Sequence, residues 1–397
     1  MPLSVWQQLA QQLAEREAQQ LMRKRISVSS AQGPVVDVAG ERLLCFCSND
    51  YLGLANHPRL AEALRAASKH YGVGGGASHL VCGHSEEHHR LEEEFAAITG
   101  RDKALLFSTG YMANLGIITA LLDKQDAVFE DKWNHASLLD AGLLSGARFQ
   151  RFLHNDMANL QARLNKTAAR RRLICVDGVF SMDGDKAPLP ELAQLAQQHD
   201  ALLMVDDAHG FGVLGEHGTG CCDEFGLSQS DVPILMCTLG KALGSFGAVV
   251  AGPALLIDTL IQFARPYIYT TSLPPAVAAA TRASLQLVQE EGWRRQQLAE
   301  NIRYFRAEAA LLGLPLMPSE TAIQPLLIGG DAEALAWQAQ LQQRGIWISA
   351  IRPPTVPKGT ARLRITFSAE HKREHIDQLL AALKQIQVQR PLAGGSP

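Results

Sequence analysis

The chain has 397 residues, 47% of them hydrophobic and 19% charged, which provides enough apolar material for a sizeable globular core in two or three domains. The net charge of −3 argues against nucleic acid or an anionic membrane as a partner, and no apolar run reaches the roughly 18 residues of a membrane span. Seven cysteines without a CxxC pair favour a reducing, cytoplasmic location over a disulfide framework.

The first predicted elements are a helical arm over residues 2–25, whose apolar face includes Trp6, Leu9 and Leu13, and a strand at 42–47. We assign them to an N-terminal segment, residues 1–55. Residues 56–290 alternate helices with unbroken apolar runs, a pattern typical of parallel strands buried on both faces. This alternation predicts a large α/β domain, a three-layer sandwich with a mostly parallel sheet. The predicted strands lie at 104–107, 127–129, 173–176, 202–205, 234–237 and 248–251.

A long helix is predicted to begin at the proline pair 274–275, and the regular alternation of helices and apolar runs ends after it. Residues 291–390 are expected to form a smaller C-terminal α+β domain. Its predicted strands lie at 324–328, 346–351 and 361–367, and its last helix at 371–386. The Gly/Pro/Ser-rich tail at 391–397 is predicted to be disordered.

An aspartate, a histidine and a lysine follow the ends of two predicted strands. Asp206 and His209 belong to the motif VDDAHG at 205–210, and Lys241 belongs to TLGKALG at 238–244. Open α/β sheets bind ligands at this edge, and a lysine beside apolar walls can lose its proton and act as a nucleophile. Asp206 could hold a ring nitrogen protonated, although it also fits a helix or turn cap. The combination predicts pyridoxal phosphate (PLP) as cofactor.

A phosphate site is predicted where a helix follows the strand at 104–107. Backbone N–H groups at a helix N-terminus bind phosphate, and Gly110 allows close approach of the backbone beside Tyr111. Many strand-to-helix turns share this pattern, so it indicates a phosphate site only in combination with the predicted cofactor lysine. Thr238 and Thr271 could add hydroxyl groups to the same phosphate.

Further turns offer groups for the cofactor ring and the substrate. His135 could stack on a flat ring, and Ser181 could bond to a phenolic oxygen, while each also fits a purely structural role. Arg352 stands before a stiff Pro-Pro pair and could hold a substrate carboxylate, with help from Asn49. A surface ion pair is the alternative for Arg352. Arg23, in the basic run at 23–25, suits the phosphates of an acyl carrier or a solvated face.

Two short motifs point elsewhere and carry less weight. His84 and His88 match the HxxEH zinc pattern, but the segment also fits a solvated, Glu-rich helix at 84–95. The GxGxxA match at 72–77 follows a predicted helix rather than a strand, so it lacks the context of a dinucleotide site. We therefore expect no metal and no dinucleotide. A zinc hydrolase remains the alternative from another class of enzyme.

In combination, these motifs resemble the α-oxoamine synthases, PLP enzymes of the aspartate aminotransferase fold (fold type I). The resemblance covers nearly the whole chain, and it is carried by the motifs at 48–53, 134–138, 177–185, 205–210, 238–241, 270–275 and 350–364. It implies that Lys241 binds the cofactor covalently, that Asp206 pairs with the ring nitrogen and that His135 stacks on the ring. The remaining implied cofactor contacts are His209, Ser181, Gly110, Tyr111, Thr238 and Thr271.

The resemblance also implies an activity and a set of partners. It points to decarboxylative condensation of L-alanine with a pimeloyl thioester, carried by CoA or acyl carrier protein, to give 8-amino-7-oxononanoate for biotin synthesis. Condensation of glycine with acetyl-CoA is the alternative, and a silent binding protein of the same fold is a third possibility. Arg23, Asn49, Arg352 and Thr355 would bind substrate. Active sites of this family lie at a dimer interface, so a homodimer is implied.

Overall fold

The structure is a computed structural model that describes residues 3–19, 21–23 and 25–390; the predicted tail at 391–397 lies outside the described residues. The N-terminal arm contains helix α1, Val5–Ala18, which begins with a capping box between Ser4 and Gln7. Helix α1 buries none of its residues, and Trp6 is 80% exposed. Strands β1, Val35–Val38, and β2, Glu41–Cys45, follow as an antiparallel pair. The predicted strand at 42–47 is thus confirmed with shorter bounds.

The central sheet has seven strands in the order β3-β9-β8-β7-β6-β4-β5, and only β9 runs antiparallel to its neighbours. All six predicted strands are confirmed. Strand β5 was missed because its sequence, RFQRF, has no continuous apolar run and carries two arginines, as suits a half-exposed edge strand. The strands are β3, Lys103–Phe107; β4, Ala127–Asp131; β5, Arg148–Phe152; β6, Arg172–Asp177; β7, Leu202–Asp206; β8, Ile234–Thr238; and β9, Ala248–Gly252.

Helices cover both faces of this sheet, which confirms the predicted three-layer sandwich. Successive strand residues point to opposite faces, so Ile174 joins one buried cluster while Leu173 and Cys175 join the other. The helices are α2, Pro58–Tyr71; α3, Glu86–Ile98; α4, Gly110–Leu121; α5, Ala136–Leu144; α6, Met157–Lys166; α7, Leu189–Gln198; α8, Cys221–Glu224; α9, Ala254–Phe263; α10, Arg265–Ile268; and α11, Pro275–Glu290. A single π-helical turn, His79–Gly83, precedes α3.

The C-terminal part is mixed α and β, as predicted, but one strand prediction was wrong. The run at 346–351 forms two short strands: β11 pairs with β2, and β12 pairs with β13. The two strands belong to different sheets, and a continuous apolar run in the sequence does not indicate where the chain passes from one sheet to the other. The elements are α12, Trp293–Leu311; β10, Ile323–Gly329; α13, Asp331–Gln343; β11, Ile346–Trp347; β12, Ser349–Ile351; β13, Ala361–Thr366; and α14, Arg373–Gln389.

Helix α3 is not the solvated helix that its glutamates suggested. His88, Leu91 and Phe95 are fully buried on one face of the helix. Leu91 and Phe95 belong to the main apolar cluster, and the His88 Nε2 atom lies 2.7 Å from the Leu273 carbonyl oxygen. Within the residues that the structure describes, no helix is both long and apolar enough to cross a bilayer.

Candidate active site

Side chains gather at the carboxyl edge of the central sheet. Asp177 ends β6, Asp206 ends β7 and Thr238 ends β8, and the first two are direct partners across the sheet. Lys241 follows three residues after β8. These parallel strands end at one edge, so the fold brings together residues that are far apart in sequence.

A cavity of about 200 Å³ lies at this edge and is lined by most of the residues predicted to bind the cofactor. The eight predicted residues are Gly110, Tyr111, His135, Ser181, Asp206, His209, Thr238 and Lys241. Asn114, Ser137 and Asp177 also line it and were not predicted. We call this space the lysine cavity.

Lys241 is partly buried, and its amine lies 2.9 Å from the His209 Nε2 atom. Burial lowers the pKa of Lys241 to about 8, although the negative charges of Asp206 and Asp177 oppose this shift. A much larger fraction of the amine is therefore neutral near pH 7 than in an exposed lysine. That neutral form is the nucleophile needed to attack an aldehyde.

His209 connects Lys241 to a buried polar chain. The His209 Nδ1 atom lies 2.7 Å from the Tyr51 hydroxyl, which donates to the Asn49 Oδ1 atom at 3.1 Å. The hydroxyl therefore accepts from Nδ1–H, and Nε2 is left to accept from Lys241. Burial, with the positive charges of Lys241 and Arg364, lowers the pKa of His209 well below its usual value. His209 is thus a neutral imidazole that holds the lysine amine in place.

Asp206 is buried, and both of its carboxylate oxygens accept hydrogen bonds. One oxygen accepts from the Ala208 backbone N–H at 3.1 Å and the other from the Asn114 side-chain amide at 2.7 Å. The same amide donates to the Ser137 hydroxyl at 2.8 Å. These contacts orient a carboxylate toward the cavity that can face a protonated ring nitrogen.

Asp177 lies beside Asp206, and its carboxyl group is buried with only part of its hydrogen-bonding capacity used. One of its oxygens accepts from the His135 backbone N–H at 3.0 Å. Its other oxygen is buried without a hydrogen-bond partner in the described part of the chain. Burial, followed by the charge of Asp206, raises the pKa of Asp177 well above its usual value. The Asp177 carboxyl group is therefore harder to ionise than an exposed aspartate.

The phosphate end of the site is built from the start of α4. Thr109 caps the helix by accepting from the Met112 backbone N–H, and the first-turn N–H groups of Gly110 and Tyr111 have no acceptor within the helix. A Cβ atom on Gly110 would lie 2.8 Å from the Thr238 methyl carbon. Only glycine therefore lets the turn approach Thr238 so closely, and the arrangement suits a phosphate group.

The site fits PLP. A phosphate cradle at α4, a buried carboxylate for the ring nitrogen and an amine of lowered pKa line one cavity. Asp177 and Asn114 also line this cavity, and each has a buried oxygen with no hydrogen-bond partner among the residues that the structure describes. His135 forms part of the wall, and burial lowers its pKa, which keeps the ring neutral for stacking.

The predicted substrate residues do not line the lysine cavity. Arg23, Arg352 and Thr355 line a second cavity of about 170 Å³ between the N-terminal arm and the loop after β12. Asn49 instead belongs to the polar chain, where it also accepts from both terminal nitrogens of Arg364 at 3.3 and 3.2 Å. Thr271 is exposed outside both cavities, and its backbone pairs with Ser78.

Several residues that complete the site were missed from the sequence. Asp177 ends a predicted strand as Asp206 does, and that shared position was an available signal. Tyr51 lies within the recognised motif at 48–53, yet its partner His209 is 158 residues away. Arg364 is buried, and its Nε atom donates to the Ser181 carbonyl oxygen at 2.6 Å. No local pattern indicates such a contact between distant elements.

Comparison with known proteins agrees with this geometry. The aminotransferase class I and II family matches residues 41–383. The chain is 63% identical over 386 residues to the 8-amino-7-oxononanoate synthase of Cellvibrio japonicus (strain Ueda107), with 97% of each chain covered. Among solved structures, SPT with a PLP internal aldimine has a TM-score of 0.92 at 28% identity and covers 98% of this chain and 99% of its own. The 8-amino-7-oxononanoate synthase of Francisella tularensis has a TM-score of 0.77 at 32% identity and covers 87% and 98%.

These similarities extend over nearly the whole chain, and they bear out the predicted fold and cofactor. The family is PLP-dependent and has fold type I, which the central sheet and the lysine cavity share. From sheet topology, site chemistry and sequence identity together, we conclude that the chain belongs to the class I and II aminotransferase family of PLP-dependent enzymes.

Proposed function

We propose that the chain condenses L-alanine with a pimeloyl thioester, with loss of CO2, and so acts as an 8-amino-7-oxononanoate synthase in biotin synthesis. The main structural support is the juxtaposition of the Lys241 amine, neutral His209 and the Asp206 carboxylate around one cavity. The curated relative at 63% identity carries this activity in its name. That relative favours the proposal over condensation of glycine with acetyl-CoA.

Each residue has a defined task in this reaction. When bound, PLP supplies an electron sink that makes the Cα proton of the amino acid acidic. Lys241 would hold the cofactor covalently through its amine, and once the substrate's amino group has replaced it there, the freed Nζ atom would accept the Cα proton. Asp206 would keep the ring nitrogen protonated, and His135 would stack on the ring. His209 orients the lysine amine through its Nε2 atom.

The acyl substrate is proposed to occupy the second cavity. Arg23, Arg352 and Thr355 line it, and two guanidinium groups suit the phosphates or carboxylate of a pimeloyl thioester. In the same proposal, residues 56–290 bind the cofactor, while residues 1–55 and 291–390 supply this second cavity.

The proposed location is a reducing cytoplasm, which suits a chain whose cysteines are free, five of them buried.

A homodimer is proposed to complete the site. Thr271 lies outside the lysine cavity of its own chain, so it is available to reach a phosphate bound by a second copy. The backbone of Thr271 pairs with that of Ser78, which follows the glycine-rich loop at 72–77, and this pairing fixes the position of Thr271. An exposed hydroxyl so placed suits a contact across an interface.

The proposal is tested by a substrate matrix. The PLP-loaded enzyme is incubated with L-alanine or glycine and with pimeloyl-CoA, pimeloyl-acyl carrier protein or acetyl-CoA, and products are identified by mass spectrometry. We expect 8-amino-7-oxononanoate from alanine and at least one of the pimeloyl donors, and the better donor identifies the carrier. Preferred turnover of glycine with acetyl-CoA would contradict the proposal. The Lys241→Ala variant controls for uncatalysed condensation.

A further inference from the structure

A histidine-rich cavity lies away from the lysine cavity, beside the π-helical turn and helix α3. Its volume is about 710 Å³, and its wall includes His79, His84, His89 and Glu92. None of these four residues lines the lysine cavity. The proposed reaction therefore gives no account of why three imidazoles and a carboxylate converge here.

Three of these side chains have the spacing of metal ligands. One possible ligand atom from each of His84, His89 and Glu92 lies within 4.8 Å of the other two. The His84 Nε2 atom is 3.9 Å from a Glu92 carboxylate oxygen. His89 and Glu92 are three residues apart on α3, so they share one face of the helix. Metal–ligand bonds of about 2.0–2.2 Å allow ligand atoms to lie up to about 4.4 Å apart, so small side-chain rotations suffice.

Neighbouring groups hold two of these ligands in place. Glu92 accepts from the Leu106 backbone N–H at 2.9 Å through one oxygen, and its other oxygen is the one nearer His84. The His84 Nδ1 atom lies 2.9 Å from the His79 Nδ1 atom. With a metal on Nε2, His84 would donate its Nδ1–H to His79, the orienting contact that histidine ligands generally make.

His88 is unsuited to the site although it also lies close to His79 and His84. Its Nε2 atom is 2.7 Å from the Leu273 carbonyl oxygen, so Nε2 must carry the proton and donate it. Its Nδ1 atom accepts from the Ser85 backbone N–H at 3.0 Å. Both nitrogens are engaged, so the HxxEH pairing of His84 with His88 does not describe the ligand set.

We propose that His84, His89 and Glu92 bind a divalent transition metal of the zinc class, with a further coordination position open to the cavity. Two histidines and one glutamate form a ligand set that zinc accepts. The metal would link His84, the residue after the π-helical turn, to helix α3. This turn also contacts the segment that holds Thr271, because the Ser272 hydroxyl donates to the Gly83 carbonyl oxygen at 2.7 Å.

The test measures zinc on the PLP-loaded full chain, after chelator treatment and dialysis against buffered Zn²⁺. We expect one zinc per chain by elemental analysis and a rise in melting temperature with zinc concentration. His89→Ala, at a side chain that is 63% exposed, should weaken zinc binding at least about tenfold without loss of folding. Glu92→Gln should do the same, because its amide oxygen can still accept from Leu106.

A matched control is His217→Ala, at a histidine that is 72% exposed and paired with Asp223 outside this cavity. This variant should keep the single zinc and the thermal shift. Absence of bound zinc in the wild-type protein would overturn the proposal, and so would equal affinity in the wild-type, H89A and E92Q proteins. The cofactor absorbance, read on the same samples, is independent of these outcomes and reports on the Lys241 site alone.

Discussion

The amine of Lys241 illustrates how desolvation tunes a single side chain. Burial lowers its pKa from 10.5 to about 8, even though two carboxyl groups lie nearby and favour the charged form. Roughly a tenth of the amine is then neutral at pH 7, whereas an ordinary lysine has well under a thousandth. His209 accepts from this amine and, being neutral itself, adds no positive charge that would repel an ammonium group.

This pKa predicts the pH dependence of cofactor capture. In the apo chain, the rate of covalent PLP attachment should rise as the pH increases toward 8 and level off above about 9, because only the neutral amine attacks the aldehyde. Stopped-flow absorbance of the bound cofactor measures that rate. An inflection near 10.5, the value of an exposed lysine, would show that burial does not lower the pKa of this amine.

The Asp206 carboxylate is predicted to act by charge rather than by shape. Asp206→Asn keeps an oxygen that can accept from Asn114 but removes the negative charge facing the ring nitrogen. We expect turnover to fall by roughly 10²–10³-fold with the covalent link to Lys241 retained. Steady-state kinetics and the visible spectrum report these two effects. The matched control is the exposed Asp37→Asn, and wild-type turnover in D206N would refute the role of Asp206.

The start of helix α4 is the element expected to bind the phosphate group of PLP. Gly110→Ala would place a Cβ atom 2.8 Å from the Thr238 methyl carbon and push the turn away from the phosphate position. PLP affinity should fall at least about tenfold, because the helix N–H groups then lie too far from the phosphate. Equilibrium titration of the apo chain with PLP measures this loss.

The control for that substitution is Gly330→Ala, also at the start of a helix. Its added Cβ atom would meet its nearest neighbour, the Glu333 Cβ atom, at an ordinary 3.7 Å. We expect unchanged PLP affinity in this variant. If G110A bound PLP as tightly as G330A, the phosphate would have to bind elsewhere.

Buried apolar runs made most of the central sheet predictable, because parallel strands covered on both faces need continuous hydrophobic sequence. The polar residues that end β7 and β8 were predictable for the same reason, since they break those runs at the ligand edge. Edge strand β5 and the change of sheet between β11 and β12 were not predictable. In both cases partner strands, rather than the local sequence, determine the structure.

The polar chain behind Lys241 shows a similar limit within the site. Tyr51, Asn49 and Arg364 meet through contacts that span up to 315 residues of sequence. The sequence motifs indicated that these regions matter without indicating which side chains touch. Lys241 and Asp206 were therefore predicted from the sequence, while Asp177 and the polar chain behind the lysine were found only in the fold.

The proposed homodimer can be tested by mixing two variant chains, each of which lacks a different residue of the shared site. If Thr271 serves the partner's site, a heterodimer of Lys241→Ala and Thr271→Ala chains has one intact site that contains both wild-type residues. Unfolding and refolding an equal mixture should restore about a quarter of the wild-type activity above the inactive K241A background. Each variant refolded alone gives the baseline, and a mixture no more active than the mean of the two baselines would contradict a shared site.

The proposed reaction depends on covalent binding of PLP by the Lys241 amine. The most direct measurement is borohydride reduction of the PLP-loaded chain followed by peptide mass spectrometry. We expect one phosphopyridoxyl group, on the peptide that contains Lys241, and none on that peptide in the Lys241→Ala variant. A label on another lysine, or no label on a chain supplied with PLP, would contradict it.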